Sequence, residues 1–192
     1  MEKDTIIIVS GLPRSGTSMM MSMLVAGGIE AMTDNIRTAD EDNPKGYYEF
    51  EKVKELAQDR SWVADARGKV VKVISALLKQ LPAEYAYKVV FMLRDMEEIL
   101  ASQRQMLIRR GQPTDTVSDK RMAEMFGKHL RDIESWLAQQ QNFDVLYVKY
   151  NEVLREPNDH MEKINRFLGN GLYVKGMAGV VDRALYRQQK QD

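Results

Sequence analysis

Apolar positions along the chain follow two rhythms. Where they are contiguous and rich in β-branched or aromatic residues, they predict strands covered on both faces. Such runs occupy residues 6–9 (Ile6, Ile7, Ile8, Val9), 69–75 (KVVKVIS), 87–93 (YKVVFML) and 143–150 (FDVLYVKY), with a shorter fifth candidate at residues 29–32. Between them the apolar spacing lengthens to about 3.6 residues, the period of a helix with one buried face. A helix is predicted from Thr17, after the first strand. Met96, Ile99, Leu100, Met106 and Leu107 mark another over residues 96–110, and Met122, Met125, Phe126, Leu130, Ile133, Trp136 and Leu137 mark a longer one ending near residue 140. Asp95 with Glu98 fits a capping box for the former, and Ser118 or Asp119 supplies a cap for the latter. Pro157 suits a first helical position, and Met161, Ile164, Phe167 and Leu168 continue on one face. Strands and helices in this order predict an α/β three-layer sandwich, with a central parallel sheet of about five strands and helices on both faces.

The length of 192 residues suits one domain spanning residues 1–192. Lys plus Arg and Asp plus Glu are both 28, so no overall field attracts nucleic acid or a membrane surface, and any anion site must be local. The absence of cysteine excludes disulfides, thiolate metal sites and a cysteine nucleophile. Glu2, Lys3 and Asp4 lead directly into a strand, and the apolar stretch at residues 19–24 is too short to span a bilayer. A cytoplasmic protein without membrane insertion is expected. Met19, Met20, Met21 and Met23 read as helix packing against the sheet. His129 and His160 lie far from the motifs and are assigned no role.

The chemistry concentrates at residues 5–26, which read as strand, phosphate loop and helix. Gly11 and Gly16 bracket Leu12, Pro13, Arg14 and Ser15, so the backbone can turn its amides toward an anion at the start of the helix. Against the nucleotide-binding template GxxxxGK[ST], both glycines and Ser18 match, but Thr17 stands where the lysine belongs; the cation is Arg14, inside the loop. In open α/β sheets the ligand lies at the carboxyl ends of the strands. There the chain places Arg14 and Ser15, an acidic loop after residue 32, Lys72 and Ser75, Arg94 and Tyr150. That inventory suits an anion with more than one phosphate-like group, and it lacks the loop lysine and strand-end aspartate of a magnesium-dependent phosphoryl transferase. Lys72, in a buried strand, needs an anionic partner or an exit to solvent. In the segment NPKGYYEFE, Tyr47, Tyr48 and Phe50 either pin a loop to the body or position its carboxylates.

LPRSGTS after the first strand resembles the 5′-phosphosulfate loop of the sulfotransferases, P-loop-type proteins whose donor is 3′-phosphoadenosine 5′-phosphosulfate. Arg94 and Ser102, eight residues apart, are similar to the family's 3′-phosphate motif, and VLYVKYNEVLREPNDHMEKINRFLG is similar to its strand, tyrosine, helix and FLG segment. NPKGYYE and the closing LYR look most like the small bacterial-type members. The resemblance implies in-line sulfuryl transfer to a hydroxyl or amine of a small-molecule or peptide acceptor, with no metal. It implies that Pro13, Arg14, Ser15, Gly16, Thr17 and Ser18 hold the 5′-phosphosulfate, that Arg94 and Ser102 grip the 3′-phosphate, and that Tyr150 and Arg187 contact the cofactor. Arg14 would carry the charge on the departing oxygen and Lys72 would assist at the sulfuryl oxygens. Where many members carry a histidine two residues after this lysine, the chain has Ile74. A carboxylate base is therefore expected, with Glu49 first and Glu51, Asp34 and Glu41 behind it. A magnesium-dependent kinase or NTPase and a non-catalytic nucleotide-binding module remain as alternatives.

Overall fold

The computed structural model describes residues 4–34, 36 and 46–182. Its centre is β1, Ile6–Gly11, buried along all six residues. The helix α1, Thr17–Ala26, follows. The next strands are β2, Val70–Lys72, and β3, Tyr87–Leu93. Beyond them come α2, Met96–Arg109, α3, Asp119–Leu137, and β4, Phe143–Lys149. The chain continues through α4, Tyr150–Arg155, α5, Pro157–Phe167, and α6, Val174–Gly179. Three short 3₁₀ helices, Glu51–Glu55, Ser61–Ala66 and Ser75–Gln80, occupy the stretches on either side of β2.

The sheet is parallel throughout, in the order β2-β1-β3-β4. Among the described residues it has four strands, which corrects the expected five. Residues 29–32 do not form a strand; Ala31 makes an isolated bridge to Val70, with Met32 N donating to the Val70 carbonyl at 2.8 Å. The run is too short to extend the ladder, because Thr33 Oγ1 and Asp34 N both donate to the Glu49 carbonyl and draw the chain toward another segment. The third predicted run is also trimmed: β2 stops at Lys72, and residues 75–80 wind into a 3₁₀ helix.

Alternate residues of β1 serve the two faces, as the pleat requires. Ile7 and Val9 pack with Met20, Met21, Met23 and Leu24 of α1, while Ile6 and Ile8 pack with Ile133 and Leu137 of α3 and with Trp62 and Val63. Helices therefore cover both faces of the sheet. The four clustered methionines divide accordingly: three are fully buried and Met19 is partly so. Ser118 caps α3 by accepting from Arg121 N at 3.3 Å, and Pro157 opens α5. Among the described residues, no helix is long and apolar enough to cross a membrane.

The strand order fixes the position of the site. From β1 the chain proceeds to β2 on one side and then to β3 on the other, so the order reverses beside β1. The crevice outside the carboxyl end of such a switch point is where this architecture receives ligands.

Candidate functional site

Residues 11–16 form the loop at that switch point. Gly11 has φ 145°, and a Cβ there would come within 2.6 Å of the Met92 carbonyl; Gly16 has φ 97°, and a Cβ there would run into the ring of Tyr150. Both positions combine a backbone conformation that suits glycine with a close neighbour. Arg14 adopts φ 70° without that freedom, a local strain of roughly 1 kcal/mol held in place by the surrounding contacts. Ser15 closes the loop on itself: its hydroxyl donates to the Leu12 carbonyl at 2.7 Å and its amide to the same oxygen at 3.2 Å. Pro13 is exposed on the outside of the turn. Thr17 and Ser18 begin α1, whose first turn has no acidic residue to oppose an anion.

Arg14 Nε donates to Ser102 Oγ at 2.9 Å. Arg94, just after β3, donates from Nη1 to the Arg14 carbonyl at 3.1 Å and from Nε to Glu98 Oε2 at 2.9 Å. Its guanidinium lies 4.4 Å from the centroid of the Tyr150 ring. The loop, the end of β3, the second turn of α2 and the start of α4 thus meet in one basic cluster. Burial pushes the Tyr150 phenol above its usual pKa, with the nearby Arg94 opposing, so the hydroxyl keeps its proton at neutral pH.

The other flank of the loop carries Lys72. Its ammonium donates to Ser18 Oγ at 3.1 Å and to the Tyr47 carbonyl at 2.9 Å, and it stands 3.7 Å from Glu49 Oε1. The anionic partner that a lysine in this strand requires is Glu49. Both sequence readings of the NPKGYYEFE segment are present together. Tyr47 is buried and Phe50 meets Trp62 edge to face at 5.2 Å, and the same stretch sets Glu49 against Lys72. The remaining carboxylates have other duties. Asp34 accepts from Glu51 N at 2.6 Å and from Ile36 N at 3.1 Å, and Glu51 pairs with Lys54 at 2.7 Å on the surface. Glu41 and Arg187 lie outside the described residues.

Two features escaped the sequence reading. Glu98 was expected only as half of a capping box. Asp95 does cap α2, accepting from Glu97 N at 2.9 Å, but Glu98 is 2% exposed and bridges Arg94 to Asn151, whose Nδ2 donates to Oε1 at 2.9 Å. The signal available was the opposite charges of Arg94 and Glu98, four residues apart across the start of α2. His129 is not a bystander on α3 either: its Nε2 lies 2.9 Å from the buried Ser75 hydroxyl. Burial lowers its pKa, with Lys79 adding to that effect and Asp132 opposing it. His160 lies 3.9 Å from Glu152, away from the loop. Among the described residues, no group of three or more His, Cys, Asp or Glu side chains is placed to hold a metal ion.

This arrangement sets the loop and the start of α1 beside Arg94 and Ser102, with a lysine–carboxylate pair on the opposite flank. The family described as "Sulfotransferase domain" matches residues 4–192. A sulfotransferase from Mycobacterium tuberculosis has a similar fold, with a TM-score of 0.61 at 17% identity over 95% of this chain and 73% of that one. A mouse sulfotransferase complexed with PAP superposes with a TM-score of 0.53 at 18% identity, over 96% of this chain and 64% of that one. The sulfotransferase domain from the curacin biosynthetic pathway gives 0.54 at 16% identity, over 98% of this chain and 78% of that one. At these identities the structural likeness speaks for the fold alone. No curated protein matches the chain in sequence.

Proposed function

The chain belongs to the sulfotransferase family and is a transferase of sulfuryl groups; on that premise we propose that its donor is 3′-phosphoadenosine 5′-phosphosulfate and its acceptor a hydroxyl or amine of a small molecule. The observation that carries this reading is the meeting of Arg94 and Ser102 with Arg14 of the loop. A nucleotide bearing anionic groups at both the 3′ and 5′ positions of its ribose calls for two neighbouring anion sites, whereas a triphosphate extends along one. The groups present fit the former. Gly11 and Gly16 keep the loop free of side chains where a Cβ would collide, and Tyr150 offers an aromatic face beside Arg94.

Bound at this site, the donor supplies an activated sulfuryl group whose bridging oxygen departs with the 5′-phosphate. The chain's residues do the rest. The amides of Gly16, Thr17 and Ser18 and the dipole of α1 hold the 5′ end, with Pro13 and Ser15 shaping the turn. Arg14 offsets the charge that develops on the departing oxygen. Arg94 and Ser102 hold the 3′-phosphate, Tyr150 lies along the nucleoside, and Arg187 is a further cofactor contact. Lys72 draws charge from the sulfuryl oxygens. Glu49, beside it, takes the acceptor's proton, which requires an approach within hydrogen-bond reach of the attacking atom. Residues 1–192 act as one catalytic domain.

A thermal-shift comparison separates this reading from its rivals without knowledge of the acceptor. 3′-Phosphoadenosine 5′-phosphate at about 100 times its Kd should raise stability by about 2.7 kcal/mol, and magnesium ATP should not. Stabilisation by magnesium ATP alone would make the protein a kinase or NTPase. Binding of the bisphosphate without turnover on any acceptor would make it a nucleotide-binding module.

A further inference from the structure

A carboxylate as buried as Glu98 must have partners, since an unpaired charge there is strongly destabilising. Its partners stand on separate elements. Oε2 accepts from Arg94 Nε and Oε1 from Asn151 Nδ2, both at 2.9 Å. Arg94 directly follows β3, Glu98 stands on α2, and Asn151 directly follows Tyr150 in the first turn of α4. The Arg94 side chain is itself only 8% exposed. With Nε on Glu98 and Nη1 on the Arg14 carbonyl, the plane of the guanidinium is set from two directions. The Asn151 bond ties the turn that carries Tyr150, and the Tyr150 ring in turn abuts Gly16 of the loop.

We infer that Glu98 is a positioning residue for nucleotide recognition: it presets Arg94 and Tyr150 so that a 3′-phosphorylated nucleoside meets an already ordered site. Arginine side chains carry a large rotamer entropy, and a ligand that must order them binds correspondingly less well. The carboxylate also carries an opposing effect, because its negative charge reduces the net attraction of Arg94 for phosphate. Ordering and charge cancellation predict opposite outcomes when the charge is removed. The inference rests on the donor reading above, and its measurement distinguishes the two.

The quantity to measure by calorimetry is the preference for the 3′-phosphate, the Kd for adenosine 5′-phosphate divided by that for 3′-phosphoadenosine 5′-phosphate. General loosening of the fold weakens both ligands and leaves this ratio unmoved. Glu98→Gln keeps the shape and removes the charge; it is expected to cut the preference about tenfold. Asn151→Ala leaves Glu98 on Arg94 but loosens the turn that holds the Tyr150 ring against the Arg94 guanidinium, and is expected to cut it about threefold. If Glu98→Gln does not fold, Asn151→Ala carries the test. A wild-type ratio kept by every variant that folds, with only the melting temperature lowered, would make Glu98 a structural tie and overturn the inference. A raised ratio in Glu98→Gln would show charge cancellation to dominate and overturn it equally. Wild-type protein with no preference would remove Arg94 from the 3′-phosphate role and defeat the donor reading as well.

Discussion

The two flanks of the phosphate loop are built by different means. On one, Glu98 and Ser102 project from α2 and Tyr150 from α4, regular elements whose geometry fixes their spacing, and Arg94 stands in the short connection between β3 and α2. On the other, Glu49 is carried by an irregular segment, held by hydrogen bonds from the Thr33 hydroxyl and the Asp34 amide to its carbonyl and by the contact of its carboxylate with Lys72. The first flank is a buried network of charges that must satisfy one another. The second is a lysine in an edge strand, joined to an irregular segment that Tyr47 and Phe50 pin to the body. The difference suits a division of labour in which one flank recognises a constant donor and the other meets the acceptor.

That division can be tested by separating binding from turnover. The largest effect is expected from Glu49→Gln, which should lower turnover by about 10²- to 10⁴-fold, the range for loss of a general base. Its affinity for 3′-phosphoadenosine 5′-phosphate should stay near that of the wild type. An equal fall in nucleotide affinity would merge the two flanks. Arg94→Ala comes next. It removes the cation proposed to meet the 3′-phosphate, and truncating one partner of a buried charge pair across an interface costs about 2–5 kcal/mol, so affinity for the bisphosphate should fall about 100-fold. Unchanged binding in calorimetry would withdraw Arg94 from the site.

The smallest effect concerns His129, which packs on Ser75 just beyond β2. Burial holds its pKa below the ordinary 6.5. Between the folded and unfolded values the unfolded chain binds more protons, so stability rises with pH through that interval and is lost as pH falls below about 6.5. His129→Gln retains a partner for Ser75 and should remove this component from the pH dependence of the melting temperature. An identical pH profile would leave the histidine without thermodynamic weight.

Much of the first flank was legible because regular structure converts spacing into position. Arg94 and Ser102 were matched to the 3′-phosphate motif by resemblance, and their spacing sets Ser102 about two turns into the helix that follows Arg94. The second flank was legible only in part. Glu49 could be ranked first among four carboxylates by resemblance, but no local rule set it beside Lys72. That contact depends on residues more than twenty positions apart in the chain meeting at the edge of the sheet. Glu98 was hidden for another reason: a glutamate three residues after a capping aspartate has a sufficient local explanation, and only burial shows that its side chain serves a different purpose.

Residue types and their periods determined the α/β class, the parallel strands, the caps of α2 and α3 and the glycine-bounded loop, because each depends on interactions within a few residues along the chain. Tertiary structure decided that residues 29–32 would give a single bridge rather than a fifth strand, that Arg14 would reach Ser102, and that Glu98 would join Arg94 to Asn151. Those outcomes turn on which groups become buried together, and a buried charge or an unfinished strand edge takes whatever partner the completed fold brings within reach.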